Sequence, residues 1–335
     1  MSKRTLPEIA GAGLLFMADP HFADTSPGQR LEGYFEQILA KVEAGLNMAR
    51  ERQMVPVFLG DMFHWPRDNS NRMLVELMRL FGSHAGERMP WAVVGNHDKH
   101  QSRFTEDVSL AVLETSGVIR LMKEPGPQFV LRTDAASGPV KTLVCASPDG
   151  TPIPKSFERP GDNPALDDPK SVLWLTHHNI RFPEFLDKAY GIKELPGIDW
   201  VINGHIHRPQ QTVRKGCTTW ANPGNISRLT FSRHSLERVP RAHVWTPDCA
   251  ELEPLDLPHF PFSEVFPDQE LPPEQDGAAE QNGSQFIRGL ERLAWRRTNE
   301  GIGLREFLDE NLDRATSEDS LVWELYEEVI HDESE

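Results

Sequence analysis

Apolar runs recur along the first two-thirds of the chain, and five of them end alike. Leu14-Leu15-Phe16-Met17-Ala18, Val55-Pro56-Val57-Phe58-Leu59, Trp91-Ala92-Val93-Val94, Val172-Leu173-Trp174-Leu175 and Trp200-Val201-Ile202 each read as a buried strand. Between the first two, Leu31, Phe35, Ile38, Leu39, Val42, Leu46 and Ala49 fall at helical spacing, so residues 28–54 predict a connecting helix. Met73, Leu74, Leu77, Met78 and Phe81 predict another before the third run. Further strands are expected at Thr142-Leu143-Val144-Cys145, Thr218-Thr219-Trp220-Ala221 and Ala242-His243-Val244-Trp245. Strands alternating with helices make this an α/β chain.

The pattern changes near residue 255. Prolines at 258, 261, 267, 272 and 273, with a run of Glu, Gln, Gly and Ala, predict an acidic linker over 260–283. Beyond it, Phe286, Leu290 and Leu293, then Leu304, Phe307, Leu308 and Leu312, mark short amphipathic helices. Ser317 suits the N-cap of a last helix through Leu321, Val322, Leu325 and Val329, with Glu318 and Asp319 in its first turn. The expected organisation is a catalytic domain over 1–259, the linker over 260–283 and a helical tail over 284–335. No internal repeat is visible.

The 335 residues carry a net charge of −16, which would oppose a polyanionic partner if it were spread evenly. It is not. Residues 260–283 hold six acids and no Lys or Arg, and residues 284–335 hold six Arg against fourteen acids. The remaining 259 residues are therefore near −2. Within them, residues 205–241 carry Arg208, Arg214, Lys215, Arg228, Arg233, Arg238 and Arg241 against Glu237 alone, a local +6. A phosphate-rich substrate is permitted beside that stretch. Cys145, Cys217 and Cys249 form no CxxC pair, which fits a reduced cytoplasmic chain. Lys3 and Arg4 before the apolar stretch Ile9 to Ala18 resemble a signal peptide, but no small-residue cleavage site follows. No stretch approaches the ~20 apolar residues of a membrane span.

The ends of the five runs carry the chemistry. They read Asp19-Pro20-His21, Gly60-Asp61, Gly95-Asn96-His97-Asp98, His177-His178 and Gly204-His205-Ile206-His207. Strands packed side by side would bring all five clusters to one rim. Carboxylate, imidazole and amide ligands together suit divalent ions such as Mn, Fe or Zn, and there are enough of them for two. His177 and His178 are neighbours, and neighbouring strand residues face opposite ways, so only one of them is expected to reach a metal.

The ordered set DxH, GDxxH, GNHD, H and GHxH resembles the calcineurin-like metallophosphoesterase superfamily over roughly residues 13–230. The resemblance implies a four-layer α-β-β-α sandwich with a di-metal site at the strand ends. It implies that Asp19, His21 and His207 hold one ion, Asn96, His177 and His205 the other, and that Asp61 bridges them. Manganese is the expected activating ion, with iron, zinc and magnesium as alternatives. His97 matches the family residue that contacts the phosphate and protonates the leaving group, and Asp98 is expected to orient its ring.

Within the superfamily, Gly60-Asp61-Met62-Phe63-His64 is similar to the GD-apolar-Phe-His of SbcD-type DNA-repair nucleases, where the histidine assists at the phosphate. The turn Asn222-Pro223-Gly224-Asn225-Ile226-Ser227-Arg228 fits a loop whose amides, Asn225 and Arg228 face phosphate, with Arg214 and Arg233 extending the basic surface. Residues 242–259 leave little room for the capping domain of those nucleases. The linker and the helices over 284–330 do match their pattern, in which such helices grip a coiled-coil ATPase of the SbcC type; a homodimer contact is the plainer alternative. The expected function is a metal-dependent nuclease subunit acting on DNA in repair or recombination. The alternatives are a phosphodiesterase or phosphatase acting on a nucleotide or other small phosphoester, and a scaffold without turnover, against which the intact ligand set argues.

Overall fold

The structure, a computed structural model, describes residues 6–267 apart from 32, 87, 136–137, 159–168, 185–188, 230, 233–234 and 237. The helices predicted over 284–330, most of the linker, and Arg233 lie outside the described residues.

Two sheets face each other. The first has six strands, and its centre is parallel: β2 (Leu14–Met17), β3 (Val55–Phe58), β4 (Trp91–Val93) and β5 (Arg120–Met122) lie side by side in that order. Antiparallel β14 (Arg241–Trp245) pairs with the free side of β2, and β15 (Glu253–Asp256) closes that edge. The second has seven strands, in the order β1 (Glu8–Ala10), β6 (Gly126–Ala135), β7 (Gly138–Ser147), β8 (Ser171–Thr176), β11 (Trp200–Asn203), β13 (Thr218–Asn222) and β12 (Gln210–Lys215). A separate two-stranded piece pairs β9 (Ile180–Arg181) with β10 (Tyr190–Gly191). The five motif strands are therefore split, three in one sheet and two in the other.

The period-two alternation explains the sandwich. Leu14, Phe16, Val55, Val57, Trp91 and Val93 point from the first sheet to meet Phe129, Leu131, Val144, Ala146, Leu173, Leu175 and Ile202 of the second. Their alternates, Leu15, Met17, Phe58 and Ala92, face outward onto helices. These are α1 (Tyr34–Glu51), α2 (Asn71–Gly82) and α3 (Ser109–Thr115). α1 buries Phe35, Ile38, Val42, Leu46 and Ala49, the stripe predicted from spacing, although it starts six residues later than expected. α2 starts at an N-cap, Ser70, whose hydroxyl accepts from the Met73 amide at 3.1 Å.

On the far face of the seven-stranded sheet, Val130, Leu143, Val172, Trp174, Val201 and Trp220 are covered by Ile153, Phe157, Phe182, Leu195, Ile198 and Ile206. Among the described residues that fourth layer is made of loops rather than helices. The domain also continues past the expected boundary at 259. A one-turn helix, α4 (Phe262–Val265), packs Phe262 and Phe266 against Phe231, so the first eight residues of the predicted linker belong to the folded body. Among the described residues no helix is long and apolar enough to cross a membrane.

Candidate metal centre

Strand register brings the motif loops together. Met17 pairs with Phe58 and Phe58 with Ala92, so the chain leaves three adjacent parallel strands just before Asp19, Asp61 and Asn96. In the other sheet Asn203 pairs with Thr176, which sets His177 and His205 side by side. The Thr176 hydroxyl donates to Asn203 Oδ1 at 2.7 Å, and Asn203 Nδ2 donates to Asn222 Oδ1 at 2.9 Å. This buried polar row pins the ends of three strands, and sequence reasoning passed over it. Its one signal is an Asn directly before Gly204 at a strand end.

The first two loops run together. The His21 and Phe22 amides donate to the Asp61 and Met62 carbonyls at 3.0 and 2.8 Å, and the His64 amide returns to Phe22 at 2.9 Å. Asp19, His21, Asp61 and His205 all have left-handed backbone, with φ of 49, 51, 48 and 71°. Such conformations cost non-glycine residues ~1–3 kcal/mol each and persist only where the surroundings impose them. The glycines beside them serve close approach. A Cβ on Gly95 would overlap the Asp61 carboxylate, and one on Gly204 would overlap the Leu59 carbonyl.

Seven side chains converge in two groups. Ligand atoms of Asp19, His21, Asp61 and His207 lie within 4.8 Å of one another, as do those of Asp61, His177 and His205. Asn96 joins the second group, its Oδ1 lying 3.1 Å from His177 Nε2 and 2.9 Å from His205 Nδ1. Asp61 is the member common to both. His177 Nδ1 lies 2.7 Å from the Leu59 carbonyl, which makes it the donor nitrogen and turns Nε2 inward, 3.3 Å from Asp61 Oδ2, where it would serve as the ligand atom once deprotonated. Its neighbour His178 points elsewhere, with Nε2 2.6 Å from the Thr151 carbonyl.

The donor set fits cations. His21 Nε2 and His207 Nε2 face each other at 3.1 Å, and the buried Asp19 Oδ2 has no partner among the described residues. Burial holds both imidazoles well below their ordinary pKa, so each keeps a lone pair at neutral pH. Burial would raise Asp61, but the facing His177, 3.3 Å away and itself raised to about 10 by Asp61 against burial, outweighs it and keeps this carboxyl well below the usual range. Burial pushes Asp19 up to about 7 against the pull of His177. A divalent ion in each group would relieve both crowding and desolvation.

His97 and His64 stand at the edge of this cluster. The rings stack with centroids 5.5 Å apart, and His97 meets the His21 ring edge-on at 4.9 Å. Burial, then His97, lowers His64 to about 3, so it is neutral at physiological pH.

Asp98 differs from expectation. Its Oδ1 accepts from the Met62 and Phe63 amides at 2.9 and 3.3 Å, and its Oδ2 from Gly95 at 2.9 Å. It clamps the second motif loop to the third and does not orient His97. That ring is set by the His64 carbonyl, 2.8 Å from His97 Nδ1, while the His97 amide donates to Asp61 Oδ1 at 2.8 Å.

The residues expected to line a phosphate surface are not brought together. Asn225 is buried with its amide oxygen taken by Arg238. Arg228 is buried and donates to the Phe260 carbonyl at 2.5 Å. Asn225 supports a metal loop, its amide donating to the His207 carbonyl at 3.0 Å, whereas Arg228 is turned toward the segment around Phe260. Arg214 is exposed on the edge strand β12, with Nε 3.3 Å from the Gly216 carbonyl. Sequence reasoning also missed the residues that brace the ligand loops. Tyr34 donates its hydroxyl to the His21 carbonyl at 3.0 Å, Ser227 to Asp19 at 3.1 Å, and Arg238 donates to His207 at 2.8 Å.

No curated protein matches the chain. Among solved structures it shows a likeness to the 5'-nucleotidase precursor from Thermus thermophilus, at 13% identity and a TM-score of 0.39, covering 84% of this chain and 59% of that one. The chain thus spans less than two-thirds of that protein's length. The family model described as calcineurin-like phosphoesterase matches residues 13–209, which include every ligand of both metal groups. The match takes in more than half of the sequence, and the chain belongs to the calcineurin-like phosphoesterases.

Proposed function

We propose that this phosphoesterase hydrolyses phosphodiester bonds in DNA, as a nuclease subunit similar to the SbcD type, with manganese as its activating ion. The observation that carries the reading is the position of His64. It stands beside His97 and within 4.8 Å, atom to atom, of both His97 and His21, so a second imidazole attends the place where phosphate would bind.

Two divalent cations, when bound, supply a nucleophile at neutral pH and offset charge on the phosphate. The chain's own residues do the rest. Asp61 stays ionised between the two groups, and its Oδ1 fixes the His97 backbone. His97 keeps its Nδ1 on the His64 carbonyl, which leaves Nε2 to hand a proton to the departing oxygen. His64, neutral and stacked on that ring, restricts its tilt and offers a hydrogen bond to a phosphate oxygen.

A second reading, hydrolysis of a nucleotide or other small phosphoester, draws on the scatter of the basic stretch. Arg208 pairs with Glu184 at 3.3 Å, Arg241 with Asp256 at 2.7 Å, and Arg228 is buried, so among the described residues these arginines form no continuous groove. The two readings separate on His64→Ala. If DNA is the substrate, kcat/KM should fall several-fold more on duplex DNA than on a nitrophenyl diester. Equal losses on both would favour the small-substrate reading.

For the tail we propose docking of residues 284–330 on a coiled-coil ATPase. Leu304, Phe307, Leu308 and Leu312 recur at i, i+3, i+4 and i+8 and call for an apolar cover. Leu308→Asp in the full chain should abolish co-purification with that partner and leave hydrolysis of a small diester intact. Undiminished co-purification would rule the docking out.

A further inference from the structure

Two arginines outside the metal groups are buried with no counter-charge among the described residues. Arg30, in the loop before α1, is 5% exposed, and Arg228 is 2% exposed. Each spends one amino group, Arg30 on Gln37 Oε1 and Arg228 on the Phe260 carbonyl, both at 2.5 Å. Nε and Nη1 of Arg30 and Nε of Arg228 remain buried with no partner among the described residues. The Arg30 guanidinium carbon sits 5.2 Å from the centroids of both Tyr34 and Phe266, which fix its plane. Lys41, 2% exposed on α1, adds a third basic group, its Nζ 3.0 Å from the Ile226 carbonyl.

The positive groups act on one another. Burial, with Arg228 as a like charge, lowers Arg30 to about 10, and burial with Arg30, Arg228 and Arg238 lowers Lys41 well below its ordinary value. Among the described residues no carboxylate pairs with Arg30 or Arg228. A protein interior tolerates buried charge when it is paired and hydrogen-bonded, and a guanidinium fork is shaped to receive two oxygens of one anion.

We propose that Arg30 and Arg228 form an oxyanion-binding site behind the metal centre, one that takes a phosphate or a carboxylate group. The site is covered by a single segment. It is the segment running from Phe260, itself 50% exposed, to Phe266, tied down where the Leu31 amide donates to Val265 at 3.0 Å. Two sources could supply the oxyanion. One is free phosphate, the product class of the domain's own reaction. The other is the chain itself, since Asp268 and Glu270 are the next acids after Pro267 in a stretch that lacks Lys and Arg.

The site would bear on the metal centre through the loops it shares. Tyr34, beneath Arg30, holds the His21 carbonyl, and Ser227, beside Arg228, holds that of Asp19. An anion that ties the two arginines together therefore braces both first-motif ligands. This holds whether the substrate is DNA or a small ester.

Equilibrium dialysis of labelled inorganic phosphate against the full-length, manganese-loaded chain tests it. If free phosphate is the ligand, the chain binds one equivalent more than Arg228→Gln does, and Arg30→Lys weakens that equivalent by at least ~10-fold through loss of the fork. If the chain's own carboxylates fill the site, the extra equivalent appears only in the Asp268→Asn/Glu270→Gln double variant and disappears again on adding Arg228→Gln. The proposal is overturned if the unmodified chain and the double variant bind the same number as their Arg228→Gln counterparts. Circular dichroism and manganese content of each variant are read beside the dialysis, and where Arg228→Gln has lost its fold Arg30→Lys, which keeps the charge, is the comparison: an equivalent bound as tightly there as in the unmodified chain and in the double variant overturns the proposal.

Discussion

His97 and Asp98 are neighbours in sequence and have separate roles. His97 presents its ring at the edge of the metal cluster, whereas Asp98 is spent on three backbone amides. His97→Ala should retain both ions and fold normally, with turnover reduced ~10²-fold or more, as removal of a general acid does. Asp98→Ala should act through the fold instead. It leaves three buried N–H groups unsatisfied at ~1–3 kcal/mol each, so the melting temperature and the activity fall together. Melting curves beside steady-state rates distinguish the two. A third residue, His243 on β14, has a buried Nδ1 with no partner among the described residues, and burial and Arg241 lower its pKa to about 4. In the unfolded chain an imidazole titrates near ~6.5. Between these values the unfolded state binds the proton more readily, so this contribution is full above ~6.5 and lost as pH falls toward 4. His243→Gln should flatten that limb of the stability profile, measured by urea unfolding from pH 4 to 7. An unchanged slope would contradict the assignment.

At the scale of elements, the motif loops are held by close approach as much as by hydrogen bonds. Gly95→Ala places a methyl where the Asp61 carboxylate sits, and we expect a folded domain with impaired metal binding, read by circular dichroism and metal content together. The strands that carry ligands were legible because all of their residues are buried and the runs are uniformly apolar. The edge strand β12, with mostly exposed residues, and β5, three residues long, gave no such signal. The long β6–β7 hairpin was legible only at its apolar end, because Gly138 to Lys141 are polar or half-exposed. The ligand clusters were readable for a similar local reason, since each directly follows its strand. What escaped was non-local. Nothing near Asn225 or Arg228 announces that Arg238 and the Phe260 carbonyl will occupy them, and Lys41 shows only as a charge between the core positions Ile38 and Val42.

For the whole molecule, the boundary of the folded body matters to any dissection of it. A chain ended at about 260 would lose Phe262, which stacks on Phe231, and Phe266, which packs on the same ring and lies over Arg30. One ended after Pro267 keeps them. We expect the shorter form to melt at the lower temperature, and equal melting temperatures would show that α4 adds nothing. The central claim is that five loops from two facing sheets assemble one two-ion centre around Asp61. Metal content of the folded, manganese-loaded chain, measured beside Asp61→Ala, tests it most directly. The geometry predicts two ions per chain, with binding of both weakened when the shared carboxylate is removed. A single ion or none in the unmodified chain, or two ions held undiminished in Asp61→Ala, would contradict it.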